Sequence, residues 1–281
     1  MGFRWDWLQP RISVPYVPAL GPVHPDVMGP ELLNDVFAVA GTGRFLSHDK
    51  DRRWSDRKGE RVLVDDIVQD REHTLIPTIT DRGILRLHLY GASECLPGAR
   101  ENAAGLATLR GVAKARVVWF QEAPEPLAAS TRVQLRTFDS RVPAVDGVEA
   151  LSGTAADVAK TFEAFAEKLA GEGFAFLHSR LETVGPVLIE VRDGRVAGAI
   201  GPMETMADPI GRVRLLPQYF GVLPEYRGLG LGRQLWRAAM HWGRAHGADY
   251  QLLQTAVGGA SDHLCQSEGL ADLGVVCVSD I

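Results

Sequence analysis

The chain has 281 residues, a length typical of two domains, and its apolar fraction of 46% is sufficient for buried cores. Its formal net charge of −5 gives no basic footprint, so nucleic acid is not an expected partner. No apolar run approaches the ~18 residues of a membrane span, and the opening residues do not form a secretory signal. Cys95, Cys265 and Cys277 cannot all pair, which favours a reducing, cytoplasmic location.

Residues 1–125 carry the signals of an N-terminal α/β lobe. Runs rich in branched residues predict strands at 62–68, 75–79 and 84–90. Residues 100–113 then predict a helix, and 115–120 predict a further strand. The order of strand, loop, helix and strand is repeated later in the chain, so one hypothesis is a degenerate second copy of the C-terminal fold. The alternative is an unrelated lobe that shapes an acceptor pocket.

Residues 131–281 have the patterns of a second domain. Residues 131–138 alternate as a first strand, and 154–169 carry one apolar helical face behind a capping box formed by Thr154 and Asp157. Asp193 and Gly194 lie between two strand-like runs, which predicts a tight hairpin.

The apolar run 215–222 predicts a strand that ends before Pro224, and a glycine-rich turn follows it. Glycines stand at 228, 230 and 232, and an amphipathic helical pattern begins at once after them. Such glycines allow a ligand to approach the backbone, whose N–H groups at a helix start suit a pyrophosphate. A P-loop is excluded because Arg233 and Gln234 follow Gly232, and the glycine spacing does not fit the dinucleotide fingerprint.

The turn resembles the coenzyme A loop of the Gcn5-related N-acetyltransferases (GNAT), whose pattern is Arg/Gln-x-x-Gly-x-Gly/Ala. Arg227, Gly230 and Gly232 satisfy it, and Val222 with 224–226 extends the match to Val-x-Pro-Glu-Tyr-Arg-Gly-x-Gly-x-Gly. The alternative is a glycine-rich structural turn. The resemblance implies an α/β fold, a mixed sheet flanked by helices, with a GNAT domain at 131–281 behind the lobe at 1–125. A tandem arrangement of two such folds is the further hypothesis.

The resemblance also implies acetyl-CoA as co-substrate and no metal. A backbone N–H near 220–222 would polarise the thioester carbonyl, and pantetheine would pair with the same strand edge. The residues that match the cofactor-binding segment of the family are Phe220, Gly221, Val222, Arg227, Gly228, Leu229, Gly230, Leu231, Gly232 and Arg233.

The residues that serve as acid and base in many members of the family are replaced by other residue types in this chain. Cys265 stands where many members have a tyrosine, so its thiol is either the acid that protonates the leaving thiolate or a packing residue; a covalent acyl-cysteine is a third hypothesis. The carboxylate frequent on the fourth strand is replaced within 215–218. Glu204 is the best remaining base candidate, with His178 and His263 behind it.

These features predict an acyl-CoA-dependent N-acetyltransferase that acylates a primary amine by direct attack in a ternary complex. The expected acceptor is a small amine-bearing metabolite, an antibiotic or a short peptide, with no nucleic acid or membrane partner. Association as a homodimer is left open. The alternative is a catalytically weak CoA-dependent sensor or a protein that sequesters a small molecule.

Overall fold

The computed structural model describes residues 2–124, 129–138 and 143–281. Contacts between Cα atoms divide the chain into two compact units. The first comprises Met1–Arg136 and Leu252–Ile281, and the second comprises Thr137–Gln251. None of the helices in the described ranges is both long enough and apolar enough to cross a membrane.

The first unit opens with short elements and continues into a sheet with one long helix. In chain order its elements are α1 (Trp5–Leu8), β1 (Tyr16–Val17), β2 (Gly21–Pro22), α2 (Pro30–Val39), β3 (Glu60–Val62), β4 (Val68–Gln69), β5 (His73–Thr80), β6 (Ile84–Gly91), α3 (Leu96–Arg110), β7 (Lys114–Gln121) and β8 (Ala129–Thr137). The second unit contains β9 (Val148–Ala150), α4 (Ala156–Ala159), α5 (Thr161–Lys168), α6 (Phe174–His178), β10 (Leu188–Arg192), β11 (Arg195–Gly201), β12 (Thr205–Ala207), β13 (Val213–Leu215), β14 (Tyr219–Val222), α7 (Leu231–Ala245) and the start of β15 (Tyr250–Ala256). The chain returns to the first unit for α8 (Ala260–Ser267) and β16 (Ala271–Asp280).

The sheet of the first unit has the order β8-β16-β7-β6-β5-β3, with β4 also paired to β5. Strands β6 and β7 run parallel because α3 connects them, and the other pairs are antiparallel. Helix α3 buries Leu96, Ala99 and Ala103, whose spacing forms one face, against apolar side chains of β6 and β7 such as Leu89 and Trp119. This packing holds the two parallel strands together.

Most of the elements predicted for the N-terminal lobe are present. Strands β5, β6 and β7 cover the runs 75–79, 84–90 and 115–120, and α3 begins slightly earlier than predicted. The single strand predicted at 62–68 is wrong. A 3-10 turn at Val64–Asp66 separates β3 from β4 because two consecutive aspartates favour a turn over a strand interior.

The second unit contains a sheet in the order β14-β11-β10-β9, in which every pair is antiparallel. The predicted hairpin is confirmed: Asp193 and Gly194 both have positive φ, 53° and 69°, as a type I′ turn requires. Phe162, Phe165 and Phe174 pack with Leu231 in the core on this sheet. The core therefore fixes the start of α7, where the glycine-rich turn ends.

Two local predictions for the second unit are wrong. The helix predicted at 154–169 is divided into α4 and α5. Thr154 is not its cap, because α4 begins at Ala156 with Ala155 at the N-cap position; Oγ1 of Thr154 donates to Oε1 of Glu149 at 2.6 Å. The strand predicted at 215–222 begins only at Tyr219. Pro217, which has no N–H to donate, lies between β13 and β14, so the apolar run is shared between two strands.

The mixed α/β class is confirmed, and the chain ends have an arrangement that the sequence pattern did not predict. β16 pairs with β7 over 275–280 and also with β8. This pairing groups the C-terminal residues with the N-terminal ones, so the compact units do not follow the ranges 1–125 and 131–281. The division into a lobe and a catalytic domain rests on the resemblance to the GNAT family, and it stays a prediction.

Candidate functional site

The glycine-rich turn connects β14 to α7 in the second unit. β14 ends at Val222, a 3-10 turn covers Pro224–Tyr226, and α7 begins at Leu231. Gly228 and Gly230 have φ of +81° and +83°, a region that side chains with a Cβ rarely adopt. Both glycines are exposed, and a Cβ at either position would meet nothing within 4 Å. The glycines are therefore required for the backbone path and leave its outer surface open.

The turn presents backbone donors at the positive end of α7. The first helical hydrogen bond is donated by Gln234 to the carbonyl of Gly230 at 3.2 Å. The N–H groups of Leu231 and Gly232 therefore have no acceptor within the helix. Since α7 has 15 residues, its dipole adds to the attraction for an anion at this end. The arrangement suits a phosphate or pyrophosphate group.

Side chains of the turn hold this path in place. Nε of Arg227 donates to the carbonyl of Val222 at 3.0 Å, and Nη2 donates to Oε1 of Glu172 at 3.2 Å. The hydroxyl of Tyr226 donates to Oδ2 of Asp193 at 2.8 Å, which ties the turn to the hairpin. Arg227 thus braces the turn in this structure, and its predicted contact with CoA stays a prediction.

β14 lies at the end of its sheet, so one edge of the strand points away from β11. Backbone N–H and C=O groups on such an edge can pair with an amide-bearing arm. Gly221 is needed at this point, because a Cβ there would lie 2.8 Å from Leu169 and 3.0 Å from Phe174. A Cβ at Gly232 would likewise lie 3.3 Å from the ring of Phe220. Close packing therefore brings β14 and the first turn of α7 together.

Residues 159–264 match the sequence profile of the acetyltransferase (GNAT) family. This segment is a GNAT domain. The match covers the turn at 223–230 with the strand and helix on either side of it, and it ends directly before Cys265. No curated protein sequence matches the chain.

Several solved structures are similar to the chain over most of its length. A GCN5-related N-acetyltransferase from Sphaerobacter thermophilus is 13% identical, with 88% of this chain and 92% of that chain covered and a TM-score of 0.46. One from Kribbella flavida is 18% identical, with 77% and 90% covered and a TM-score of 0.44. A tandem GNAT protein from the clavulanic acid biosynthesis pathway is 13% identical, with 88% and 93% covered and a TM-score of 0.46. At these identities and TM-scores the likeness says nothing about substrate or residue roles.

The base candidate Glu204 lies in the GNAT domain between β11 and β12. Its side chain is half-buried, and its Oε1 accepts a hydrogen bond from the N–H of Gly185 at 3.2 Å. Its own carbonyl accepts from the N–H of Leu216 at 2.9 Å, which places Glu204 close to the residues that lead into β14. His178 is half-buried at the end of α6, with its ring 5.9 Å from that of Phe162.

Gln218 and Gln251 form an amide pair before β14 that the sequence did not predict. Nε2 of Gln251 donates to Oε1 of Gln218 at 2.8 Å, and Nε2 of Gln218 donates to the carbonyl of Leu216. Gln251 is fully buried, and among the described residues its Oε1 has no hydrogen-bond partner. Gln218 lies within 215–218, the segment where the resemblance places the missing carboxylate, and its side chain is a neutral amide.

Cys265 lies on α8 in the first unit and is only 2% exposed. Burial, together with the nearby charges of Asp262 and Glu268, raises the pKa of its thiol to about 11. The thiol is therefore protonated at neutral pH and is a weaker acid than a free cysteine. His263, on the same helix, is exposed.

The residues of the predicted cofactor-binding segment follow one another along β14, the turn and the start of α7, whereas Cys265 lies on α8. Phe220, Gly221 and Val222 lie on β14, Gly228, Leu229 and Gly230 form the turn, and Leu231, Gly232 and Arg233 open α7. Leu229 is 65% exposed beside the two left-handed glycines. Within the described parts of the chain, no group of three or more His, Cys, Asp or Glu side chains could hold a metal ion.

Proposed function

We propose that the GNAT domain transfers an acetyl or short acyl group from acetyl-CoA to a primary amine of a small molecule or short peptide. The conformation of the turn carries this proposal. Gly228 and Gly230 direct the backbone so that N–H groups at the start of α7 are available to the pyrophosphate. The open edge of β14 would pair with the pantetheine amides and supply the N–H that polarises the thioester.

We assign the proton transfers by asking which ionisable groups lie close to β14. Amine attack on the thioester requires loss of one proton from the ammonium and gain of one by the departing thiolate. Glu204 is the carboxylate that the backbone holds beside the approach to β14, so it is the base of this proposal, directly or through water. The raised pKa and the burial of Cys265 favour the packing role over the acid role.

The test is direct. The purified protein is incubated with acetyl-CoA and a panel of primary amines, and release of free CoA thiol is followed. Turnover that depends on the amine supports the transferase. Acetyl-CoA binding by calorimetry without turnover on a broad panel would contradict it.

A CoA-dependent sensor or sequestering protein is the second candidate, and the Gln218–Gln251 pair is the observation that favours it. The two NH₂ groups donate to Oε1 of Gln218 and to the carbonyl of Leu216, and neither amide is ionisable, so neither can act as a base at this position. A sensor would bind acetyl-CoA in the same turn and show no amine-dependent thiol release. The thiol assay together with calorimetry therefore separates the two functions.

A further inference from the structure

A cleft of about 660 Å³ lies in the first unit, and the proposed acyl transfer does not use it. One wall is formed by Leu89, Gly91 and Ala92, and the opposite wall by Trp119 and Phe120. These residues belong to, or directly follow, the carboxyl ends of β6 and β7. The carboxyl ends of neighbouring parallel strands are the usual ligand position in open α/β sheets.

The two strands separate at this point. Their parallel pairing ends at Leu89 and Trp119, although β6 continues to Gly91 and β7 to Gln121. The last residues remain paired on their outer sides, those of β6 with β5 and those of β7 with β16. Each strand end is therefore held in an extended conformation while its inner edge faces the cleft. Such edges can hydrogen-bond an extended chain that enters between them.

The side chains at the point where the strands part are packed against their neighbours. Leu89 and Trp119 are buried and pack against α3. The ring of Phe120 stacks on that of Tyr90 with centroids 4.7 Å apart, and Tyr90 is itself fully buried. A ligand would meet a preformed slot and not a collapsed surface, which lowers the entropic cost of binding.

The rim carries charges of both signs. Arg11 lines the cleft, and its guanidinium is fixed by two hydrogen bonds of 2.7 Å, from Nε to the carbonyl of Glu72 and from Nη1 to that of Trp7. The side chains of Glu72 and Glu122 are exposed at the same cleft. A fixed cation with two carboxylates suits a zwitterionic ligand and disfavours a polyanion.

The turn that follows β6 also disfavours a phosphate ligand. Ala92 and Cys95 have φ of −70° and −80°. The turn at Gly228 and Gly230, in contrast, uses φ above +80° to expose its donors. The two turns therefore have different backbone paths, and a pyrophosphate is not the expected occupant of this cleft.

We propose that this cleft binds a short peptide with free termini in extended conformation. The peptide backbone would pair with the inner edges of β6 and β7. Its carboxylate would contact Arg11, and its ammonium group would lie beside Glu72 and Glu122. This site is independent of the acyl-CoA turn, so it does not depend on the proposed transferase activity.

The test is a titration of the ¹⁵N-labelled full-length protein with trialanine, followed through the amide resonances of Gly91, Ala92 and Ser93. We expect saturable shifts at these residues. Ala92→Phe, which would fill the cleft, should weaken binding at least tenfold. Ala104→Phe is the matched control, because it places the same side chain on the exposed surface of α3 and should leave binding unchanged. Ser93→Phe provides a second cleft-filling variant if Ala92→Phe does not fold.

Two further measurements address the ligand class. Trialanine with an acetylated amino end and an amidated carboxyl end should bind at least fivefold more weakly, and Glu72→Gln with Glu122→Gln should reduce the difference. Absence of saturable shifts at millimolar trialanine would overturn the proposal. So would equal binding by the Ala92→Phe and Ala104→Phe variants, or saturable shifts of the 91–93 resonances by acetyl-CoA in a Gly230→Val background.

Discussion

Arg227 and Glu172 form an ion pair across the base of the glycine-rich turn, with Nη2 and Oε1 at 3.2 Å. Both side chains are about half exposed, at 55% and 44%, so the pair can open without a large cost. Under the proposed function the pair bears on ligand binding, because the carboxylate of Glu172 holds the guanidinium that the resemblance assigns to CoA.

The first prediction concerns this pair. Arg227→Ala should weaken acetyl-CoA binding, because it removes both the brace on Val222 and a cation near the phosphates. Glu172→Gln should leave affinity equal or raise it up to about fivefold, since exposed ion pairs contribute about 0–1 kcal/mol. Calorimetry at two salt concentrations measures both. A loss of affinity in Glu172→Gln would show that Arg227 acts by bracing the turn and not by contact with CoA.

The second prediction concerns Gly230. Gly230→Val should weaken acetyl-CoA binding tenfold or more, about 1.4 kcal/mol per tenfold, because a β-branched residue opposes the φ of +83° and redirects the donors at the start of α7. Gly211→Val is the matched control, since Gly211 has φ of +86°, also has open space, and lies outside the turn. Equal calorimetric affinity in both folded variants would remove the turn from the binding site.

The third prediction concerns Cys265. Because the folded-state pKa is raised to about 11 from an ordinary value of 9.0, the stabilisation from the protonated thiol is complete below pH 9 and is lost as the pH rises towards 11. The melting temperature of the native protein should therefore fall more steeply than that of Cys265→Ala across this window. The variant should keep kcat within a few-fold. A collapse of kcat at an unchanged melting temperature would assign the thiol to proton transfer.

The fourth prediction concerns His88 in β6, which is 1% exposed and whose Nδ1 lies 3.0 Å from the carbonyl of Ile76. Burial lowers the pKa of His88 from 6.5 to about 4, so the unfolded chain binds the proton more readily. Stability is thus complete above pH 6.5 and decreases as the pH falls towards 4, by about 2 kcal/mol at pH 5. Denaturant unfolding at pH 7 and pH 5 should show a smaller decrease in His88→Gln. Equal decreases would exclude His88 as the cause.

The features that the sequence predicted correctly are those whose conformation is set by residues adjacent in the chain. The hairpin at Asp193 and Gly194 and the turn at Gly228 and Gly230 need positive φ, and glycine or aspartate at those positions signals it directly. The capping box at Thr154 failed because α4 starts later than predicted, with Ala155 at the N-cap position, and the Thr154 hydroxyl bonds Glu149 instead.

Contacts between residues that are far apart in the sequence could not be predicted from any local pattern. The bond between Gln218 and Gln251 joins residues far apart in sequence, and so does the one between Arg227 and Glu172. Nothing in the amphipathic pattern of either segment specifies the partner. The resemblance to the GNAT family could supply the binding segment, but it could not supply an acid or base that this chain does not share.

The fifth prediction follows from β16. A fragment of residues 131–281 retains β16 but removes β7, to which 275–280 are hydrogen-bonded. Buried side chains such as Val275 and Cys277 would then lie at an open strand edge. The fragment should aggregate or lose cooperative unfolding, as gel filtration and thermal melts would show. Co-expression with residues 1–124 should restore a soluble complex, and a soluble, cooperative fragment alone would contradict the prediction.

The same strand also determines when the protein can fold. β7 ends at Gln121, and its partner Val275 is synthesised more than 150 residues later (275 − 121 = 154). During translation, the edge of β7 that faces β16 is complete but unpaired until β16 emerges from the ribosome, and contacts of such high sequence separation form slowly. The sheet that contains β7 therefore starts to form early and is completed only after β16 has been synthesised, and removal of β16 leaves β7 without a partner on that edge.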